Sequence, residues 1–525
     1  MRKQLPKGKH LFFLFLTGIA LWTSCKKENH PNPRTSGQDT TSTGPVALSD
    51  EDSLKFYVWY INLSDSANNV PFYLWNDQVP AINPFSPVYE NADSLLMGSN
   101  GIASYPLVNG KKVDRYSFLD RTGEVTGEIQ EGQAGDFGFD FNWVLNQDNS
   151  TSIYILYAYP GSPAALAGME RGYEITAIGG VSDLSYDGPG YGNGSDYNVN
   201  AVLKAFSAAS TQFTFKKPDG TTITKTLDRA TYHLNPILFD SVYERSGKKI
   251  GYFVYNSFVS VVDDSGNYTT PAKTELDTVF HKFQNAGIND LVVDLRYNGG
   301  GSVASAEYID NWLAPASANN QLMYKYMYNS ELTAYAQVYP DYLPGSYNFS
   351  KQGALTLDHV IFIVGGGTAS ASELTMNNLK PYIDVKMIGD TTYGKPVGFF
   401  GFPIAVSDSQ GNQKLLAVMY AINFHTVNSQ NEGDYYDGFA PDKFEYDYIG
   451  YNWGDQDDPR LQEAFDYIVN GSFARSSNQL ARMAGLPHGV AAMNRAQAAR
   501  NFKGTVNAQL GRSLFKKIQS QLHKK

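Results

Sequence analysis

One cysteine, Cys25, occurs in 525 residues, so no intramolecular disulfide can form and stability has to come from packing. Charge is sparse as well: charged residues make up 18% of the chain against 42% hydrophobic, which excludes a disordered polymer. The net charge of −10 argues against nucleic acid as the main partner. The apolar run near the start, "LFFLFLTGIALW", falls short of the roughly 20 residues a spanning helix needs. The eight histidines are scattered, and none sits in a segment like a triad partner. Residues 471–525 hold ten Lys or Arg and no Asp or Glu. Taking that +10 from the overall −10 leaves residues 1–470 at −20, so acidic body and basic tail are read separately.

What is present is length, aromatic rings and glycine. A chain of 525 residues exceeds one ordinary core, so two to four folded units are expected. Aromatics at 14% and 48 Gly point to β-rich regions with many turns.

The N-terminus reads as an export signal: "MRKQLPKGKH" is basic, and the short apolar run ends at "TSC". A lone cysteine there resembles the lipobox of bacterial lipoproteins, which makes 1–25 a lipoprotein-type signal segment and implies that Cys25 becomes the lipidated N-terminus. The mature protein is then expected outside the cytoplasm, in the cell envelope, as a lipid-anchored outer-membrane, periplasmic or surface lipoprotein. Residues 26–50, rich in Pro, Ser and Thr, read as a tether. "SDEDSLKFYVWYINL" opens a helix with Leu54, Tyr57, Val58 and Ile61 on one face, so 51–125 is expected to be a small helical region.

Residues 130–230 alternate like half-buried strands. "GDFGFDFNWVL", "TSIYILYAY" and "RGYEITAIGGV" are strands, "PGSPAALAGM" is a turn and short helix, and "YNVNAVLKAF" is a helix. "TQFTFKKPDGTTITKTL" is a hairpin turning at Asp219-Gly220. That order resembles a PDZ domain of the kind attached to bacterial proteases. The resemblance puts Phe137, Gly138 and Phe139 at the peptide-binding loop, where Gly lets backbone N–H groups face a C-terminal carboxylate. A PDZ-like spacer without a ligand is the other reading, because the loop begins with Asp136 and not Gly. "DLSYDGPGYGNGSDYN" has Asp and Asn but no calcium-loop spacing and reads as a solvated loop.

From 231 to 470 strands and helices alternate, which makes the fold class α/β, within a mixed α+β multidomain chain. "TPAKTELDTVFHKFQNAG" is a helix between Pro271 and Gly287. "LVVDLRYNGGGS" and "HVIFIVGGGTAS" are buried strands running into glycines ahead of helices, a pattern that exposes backbone N–H groups to an anion. The Lys-Ser/Thr pair of a phosphate-binding loop is missing. An oxyanion hole for acyl transfer uses the same physics and sets Ser370 beside the developing charge. His425 sits on an expected strand and reads as structural. Lys395, in "GDTTYGKPVG", can act as base only when neutral, which requires burial to pull its amine below the ordinary ~10.4. Phe399, Phe400 and Phe402 are near enough in sequence to form such surroundings.

"DLRYNGGG", "GTASASE", "IGDTTYGKPVG" and "DGFAPD", in this order behind a PDZ-like region, resemble the carboxyl-terminal processing (tail-specific) serine protease family over residues 130–470. The resemblance implies a nucleophile 25 residues before the lysine, hence Ser370 with Lys395 as base, and oxyanion donors on Ala371 and on Gly300 or Gly301. Ser372 and Glu373 would support the helix start. Where the family carries a Gln that orients the amine, four residues after the lysine, this chain has Phe399, so Tyr393 or a carbonyl is expected to take over that role. The implied activity is an exported endopeptidase acting on protein or peptide substrates near apolar or unstructured C-termini, without metal or other cofactor. The alternative is a catalytically weak peptide-binding scaffold on the same fold. The basic extension, 471–525, is expected to be a solvated helical addition.

Overall fold

Strand Asp290–Asp294 is buried along its whole length, which explains its uninterrupted apolar run. It pairs in parallel with Lys248–Tyr255 on one side and His359–Val364 on the other. Asp384–Gly389 and the short Lys443–Phe444 extend the sheet in parallel, and Ile237–Arg245 closes the opposite edge antiparallel. Successive residues of the central strands face opposite layers. Leu291, Val293, Phe362 and Val364 pack with the helices Pro271–Ala286, Val303–Leu313 and Ala371–Leu379. Val292, Ile361 and Ile363 pack under the helix Pro459–Asn470. Pro271 and Gly287 bound their helix as the sequence indicated: Thr270 caps it and Gly287 takes φ 66°.

The computed structural model describes residues 48–66, 69–146, 150–187, 197–340, 343–408 and 410–473. The export segment with Cys25, the tether to residue 47, positions 188–196 of the Asp- and Asn-rich insert, and the extension from 474 lie outside the described residues. Among the described residues, no helix is long and apolar enough to cross a membrane.

Residues 130–230 form an antiparallel sheet of five strands in sequence order, Phe139–Leu145, Thr151–Ala158, Glu174–Ile178, Ser210–Lys216 and Thr222–Asp228. Helices Pro163–Leu166 and Tyr197–Ser207 complete the expected order of elements. Phe137, Phe139, Phe141, Phe213 and Phe215 give it a core of its own. A ribbon of Gln133–Asp136 with Ala230–His233 ties its two ends together. A further apolar cluster, with Leu156, Tyr157 and Tyr159 against Val259, Tyr297 and Ile449, fastens it to the α/β region.

The N-terminal helices are Asp50–Leu63, capped by Ser49, and Ala92–Met97, opened by a capping box at Asn91. They do not stand apart. Leu54, Val58, Ile61, Phe72 and Tyr73 share one core with the α/β helices. Phe118–Asp120 pairs with Gln413–Tyr420, on the side away from Phe402–Ser407, as the third strand of that sheet.

Candidate active site

The site begins at the carboxyl end of strand Asp290–Asp294. Asn298 is fully buried; its Nδ2 donates to the Tyr255 carbonyl (2.8 Å) and its Oδ1 accepts from the Gly300 N–H (2.9 Å). Gly300 and Gly301 have φ of 104° and 144°, which only glycine adopts without strain. A Cβ on Gly300 would stand 2.9 Å from the Ser370 Cβ and 3.1 Å from the Ala371 nitrogen. The glycine run and the serine turn therefore touch. Of the expected oxyanion donors, the Gly300 N–H is already given to Asn298.

Ser370 sits at the end of the neighbouring strand, as N-cap of the helix Ala371–Leu379. It is 1% exposed and holds φ 61°, ψ −110°, a conformation that costs a non-glycine residue about 1–3 kcal/mol. The turn is fixed from behind: Thr368 Oγ1 donates to the Leu295 carbonyl (2.7 Å), and Ala369 N and Ser372 Oγ donate to the Asn298 carbonyl (both 3.1 Å).

Glu373 joins the serine to the lysine. Fully buried, its Oε2 accepts the N–H of Ser370 (2.9 Å) and of Lys395 (2.8 Å). Its Oε1 accepts the Gly394 N–H (2.7 Å) and the Thr392 hydroxyl (2.5 Å). Burial pushes this carboxyl up, and the four donors oppose the rise. Sequence reasoning gave Glu373 only a supporting place at the helix start. The Ser-x-x-Glu spacing of a capping box was the legible half of its role; the lysine side of it was not.

Lys395 is 1% exposed, and burial pulls its amine well below the ordinary lysine value against the pull of Asp114 and Glu373. The Nζ lies 3.6 Å from the centroid of the Phe399 ring and 5.4 Å from that of Tyr116. Of the three phenylalanines expected around the amine, Phe399 is against it. Phe400 packs on Phe424 and Phe402 on Phe72. Tyr393, an expected partner of the amine, donates its N–H to the Thr368 carbonyl (2.9 Å) and sets its ring edge-on to Tyr116.

Asp114, Arg115 and Tyr116 were missed. Asp114 accepts from the Tyr73 hydroxyl, from Ser117 N and Oγ, and from Tyr116 N. Arg115 reaches the carbonyls of Tyr393 (3.1 Å), Gly394 (3.3 Å) and Tyr436 (3.3 Å), and the Tyr116 hydroxyl donates to Gly394. Only the fold brings them to the lysine loop; Asp-Arg-Tyr in a polar stretch carries no signal of it. "DGFAPD" supports the same loop, Phe439 exchanging hydrogen bonds with Thr392. His425, on the strand Ile422–Asn428, donates its Nε2–H to the Gly433 carbonyl (3.0 Å), and burial lowers its imidazole.

At the expected peptide loop, the Gly138 N–H donates to Asp136 Oδ1 (2.8 Å), which also accepts from the Tyr232 hydroxyl (2.9 Å). Phe137 and Phe139 turn their rings into the core against Phe206 and Phe213. The loop's own acidic residue thus occupies the Gly138 donor expected to face a peptide carboxylate. Among the described residues, no group of three or more His, Cys, Asp or Glu is arranged to hold a metal ion.

Known proteins are similar to this chain in sequence and in fold. The sequence model of peptidase family S41 matches residues 249–442. A carboxyl-terminal-processing protease of Picosynechococcus sp. is 27% identical over 321 residues, 60% of this chain and 67% of that protein. Another, of Synechocystis sp., is 24% identical over 371 residues, 69% of this chain and 75% of that protein. The crystal structure of a Bacteroides fragilis protein described as a putative S41 protease covers 82% of this chain and 100% of its own. Its TM-score is 0.56 at 21% identity, a likeness of fold. The resemblance carried by the motifs holds at this level: residues 249–442 match peptidase family S41, and carboxyl-terminal-processing proteases are among the proteins the chain is similar to.

Proposed function

We propose that the chain is a serine endopeptidase that hydrolyses protein or peptide substrates through a Ser370–Lys395 dyad. The observation that carries the reading is the buried Glu373 carboxylate, which holds the backbone N–H groups of both residues on one oxygen. The neutral Lys395 amine takes the Ser370 proton, and Oγ attacks the scissile carbonyl carbon. The oxyanion is met by the N–H of Ala371 and of Gly301, since Gly300 already donates to Asn298. The lysine then returns the proton to the leaving amine, and water, deprotonated by the same amine, hydrolyses the acyl-serine. Substrate tails run beside strand Phe139–Leu145 of the PDZ-like sheet. Residues 1–25 direct export and Cys25 carries the lipid anchor that places the enzyme in the cell envelope.

The test is cleavage of unstructured polypeptides with apolar C-termini, followed by mass spectrometry between pH 6 and 10. Cleavage is expected to disappear in Ser370→Ala and in Lys395→Ala. In the parent it should rise with pH through an apparent pKa below that of a free lysine, because only the neutral amine is a base. A parent that binds tails for days without cutting them overturns the enzyme and leaves the scaffold.

A further inference from the structure

A cleft of about 290 Å³ opens between the PDZ-like sheet and the α/β region, with Gly299 and Gly300 in its wall. Gly300 also touches Ser370, so the cleft ends one residue from the nucleophile. Four carboxylate residues line it, Glu124, Glu128, Asp136 and Asp140, and no Lys, Arg or His is among the residues of its wall. Asp136 accepts from the Gly138 N–H and the Tyr232 hydroxyl, and Asp140 from the Phe141 N–H (2.8 Å).

A second observation is independent of charge. Ser257 lines the same cleft at 2% exposure, and its hydroxyl has no hydrogen-bond partner among the described residues. A buried hydroxyl left unpaired costs about 1–3 kcal/mol, so its place in a cleft wall points to a polar group supplied from outside. The carboxylates form no metal-holding cluster, which favours an organic cation over a bare ion.

We propose that this cleft selects substrates by charge: it takes a lysine or arginine side chain of the polypeptide being cut, on the PDZ-like side of the scissile bond. The cation faces the carboxylates and donates a hydrogen bond to the Ser257 hydroxyl, while an acidic side chain at that place meets like charge. The inference rests on the protease reading and names the substrate class of that same site.

The test uses fluorescent peptides of one unstructured backbone that differ only in carrying Lys, Gln or Glu at one position. Their binding to full-length Ser370→Ala is read by anisotropy at low and high salt, and their cleavage by the wild type is read in parallel. The Lys peptide is expected to bind at least about tenfold more tightly than the Glu peptide, with the ratio shrinking as salt screens the exposed portion of the field. Glu124 is exposed, so Glu124→Lys alters the charge without touching a buried group, and it should cut the Lys-to-Glu ratio several-fold. Glu128→Gln with Asp140→Asn should reduce it further. Equal binding of the Lys and Glu peptides, or a ratio unchanged in Glu124→Lys, overturns the proposal. Cleavage of all three peptides at one rate overturns it while leaving the protease intact. Charge-selective binding without any cleavage sinks the protease and leaves the cleft.

Discussion

Phe399 decides how the Lys395 amine is held. A glutamine at this position would give the Lys395 amine a hydrogen bond with a direction; a ring face gives it a low-dielectric wall and a diffuse electrostatic attraction. At 3.6 Å from the ring centroid the two effects oppose each other, because the wall disfavours the ammonium and the ring quadrupole favours it. Burial is the largest influence on this amine, so the wall wins. Phe399→Ala is therefore expected to admit water, raise the lysine pKa and move the rising limb of the kcat/KM–pH profile to higher pH. Loss of a fully buried Phe should also lower stability by about 3–5 kcal/mol, readable as a drop in Cm for urea. A profile that stays in place while stability falls would make Phe399 a packing residue and nothing more. That Ser370 and Lys395 lie together was legible because one motif spacing names both. Asp114 and Tyr116 were not, since they reach the amine from about 280 positions away and no periodicity encodes such a meeting.

At the scale of elements, the helix that carries Ser370 leans on the helix Val303–Leu313 across a buried polar seam. Asp310 accepts from Asn378 Nδ2 (2.8 Å) across it; on the same helix Glu307 accepts from the hydroxyl of Tyr324 (2.5 Å), which lies on the strand Leu322–Met327. Burial pushes the Glu307 carboxyl up to about 8, only partly opposed by Tyr324. A folded-state pKa above the unfolded 4.5 means that the native state holds a proton the unfolded chain has lost. Stability from this group is complete below about pH 4.5 and is lost as pH rises through about 8. Glu307→Gln keeps the acceptor without the titration. The wild type is expected to lose stability between about pH 5 and 8 by a few kcal/mol more than Glu307→Gln does, measured as Tm across that range. Parallel Tm curves would show that the seam is not titrating. The strands packed against these helices, Asp290–Asp294 and His359–Val364, were readable as apolar runs, because a strand buried on both faces has no polar alternation to keep. Strand Phe118–Asp120 was not, being three residues long and defined only by a partner some 300 residues later.

For the whole molecule, the question is what joins the five-stranded antiparallel sheet to the α/β region around the cleft between them. A buried cluster of charges crosses that boundary. Arg171, from the side of the five-stranded sheet, gives Nη2 to Asp447 (2.7 Å) and Nη1 to the Tyr297 hydroxyl. Arg296 gives Nη1 to the same Asp447 oxygen (2.8 Å) and Nη2 to Asp294 (2.7 Å) and Asp458 (2.8 Å). Burial would raise the Asp447 carboxyl, but Arg171 and Arg296 hold it far below the usual carboxylate range. Trp453 lies over both guanidinium groups, so the cluster is shielded from water. Removing one partner from a buried pair costs about 3–5 kcal/mol, and less here because Asp447 keeps Arg296. Since the lost contacts lie on the boundary, the cost should fall on docking and spare each core. Hydrogen exchange in Arg171→Met is thus expected to lose protection across residues 139–228 while strands Asp290–Asp294 and His359–Val364 keep theirs. Equal loss in both would mean that the apolar contacts of Tyr157, Tyr159 and Tyr297 already weld the two into a single cooperative unit. The charges would then serve to shape the cleft wall, where Tyr297 stands, instead of holding the halves together.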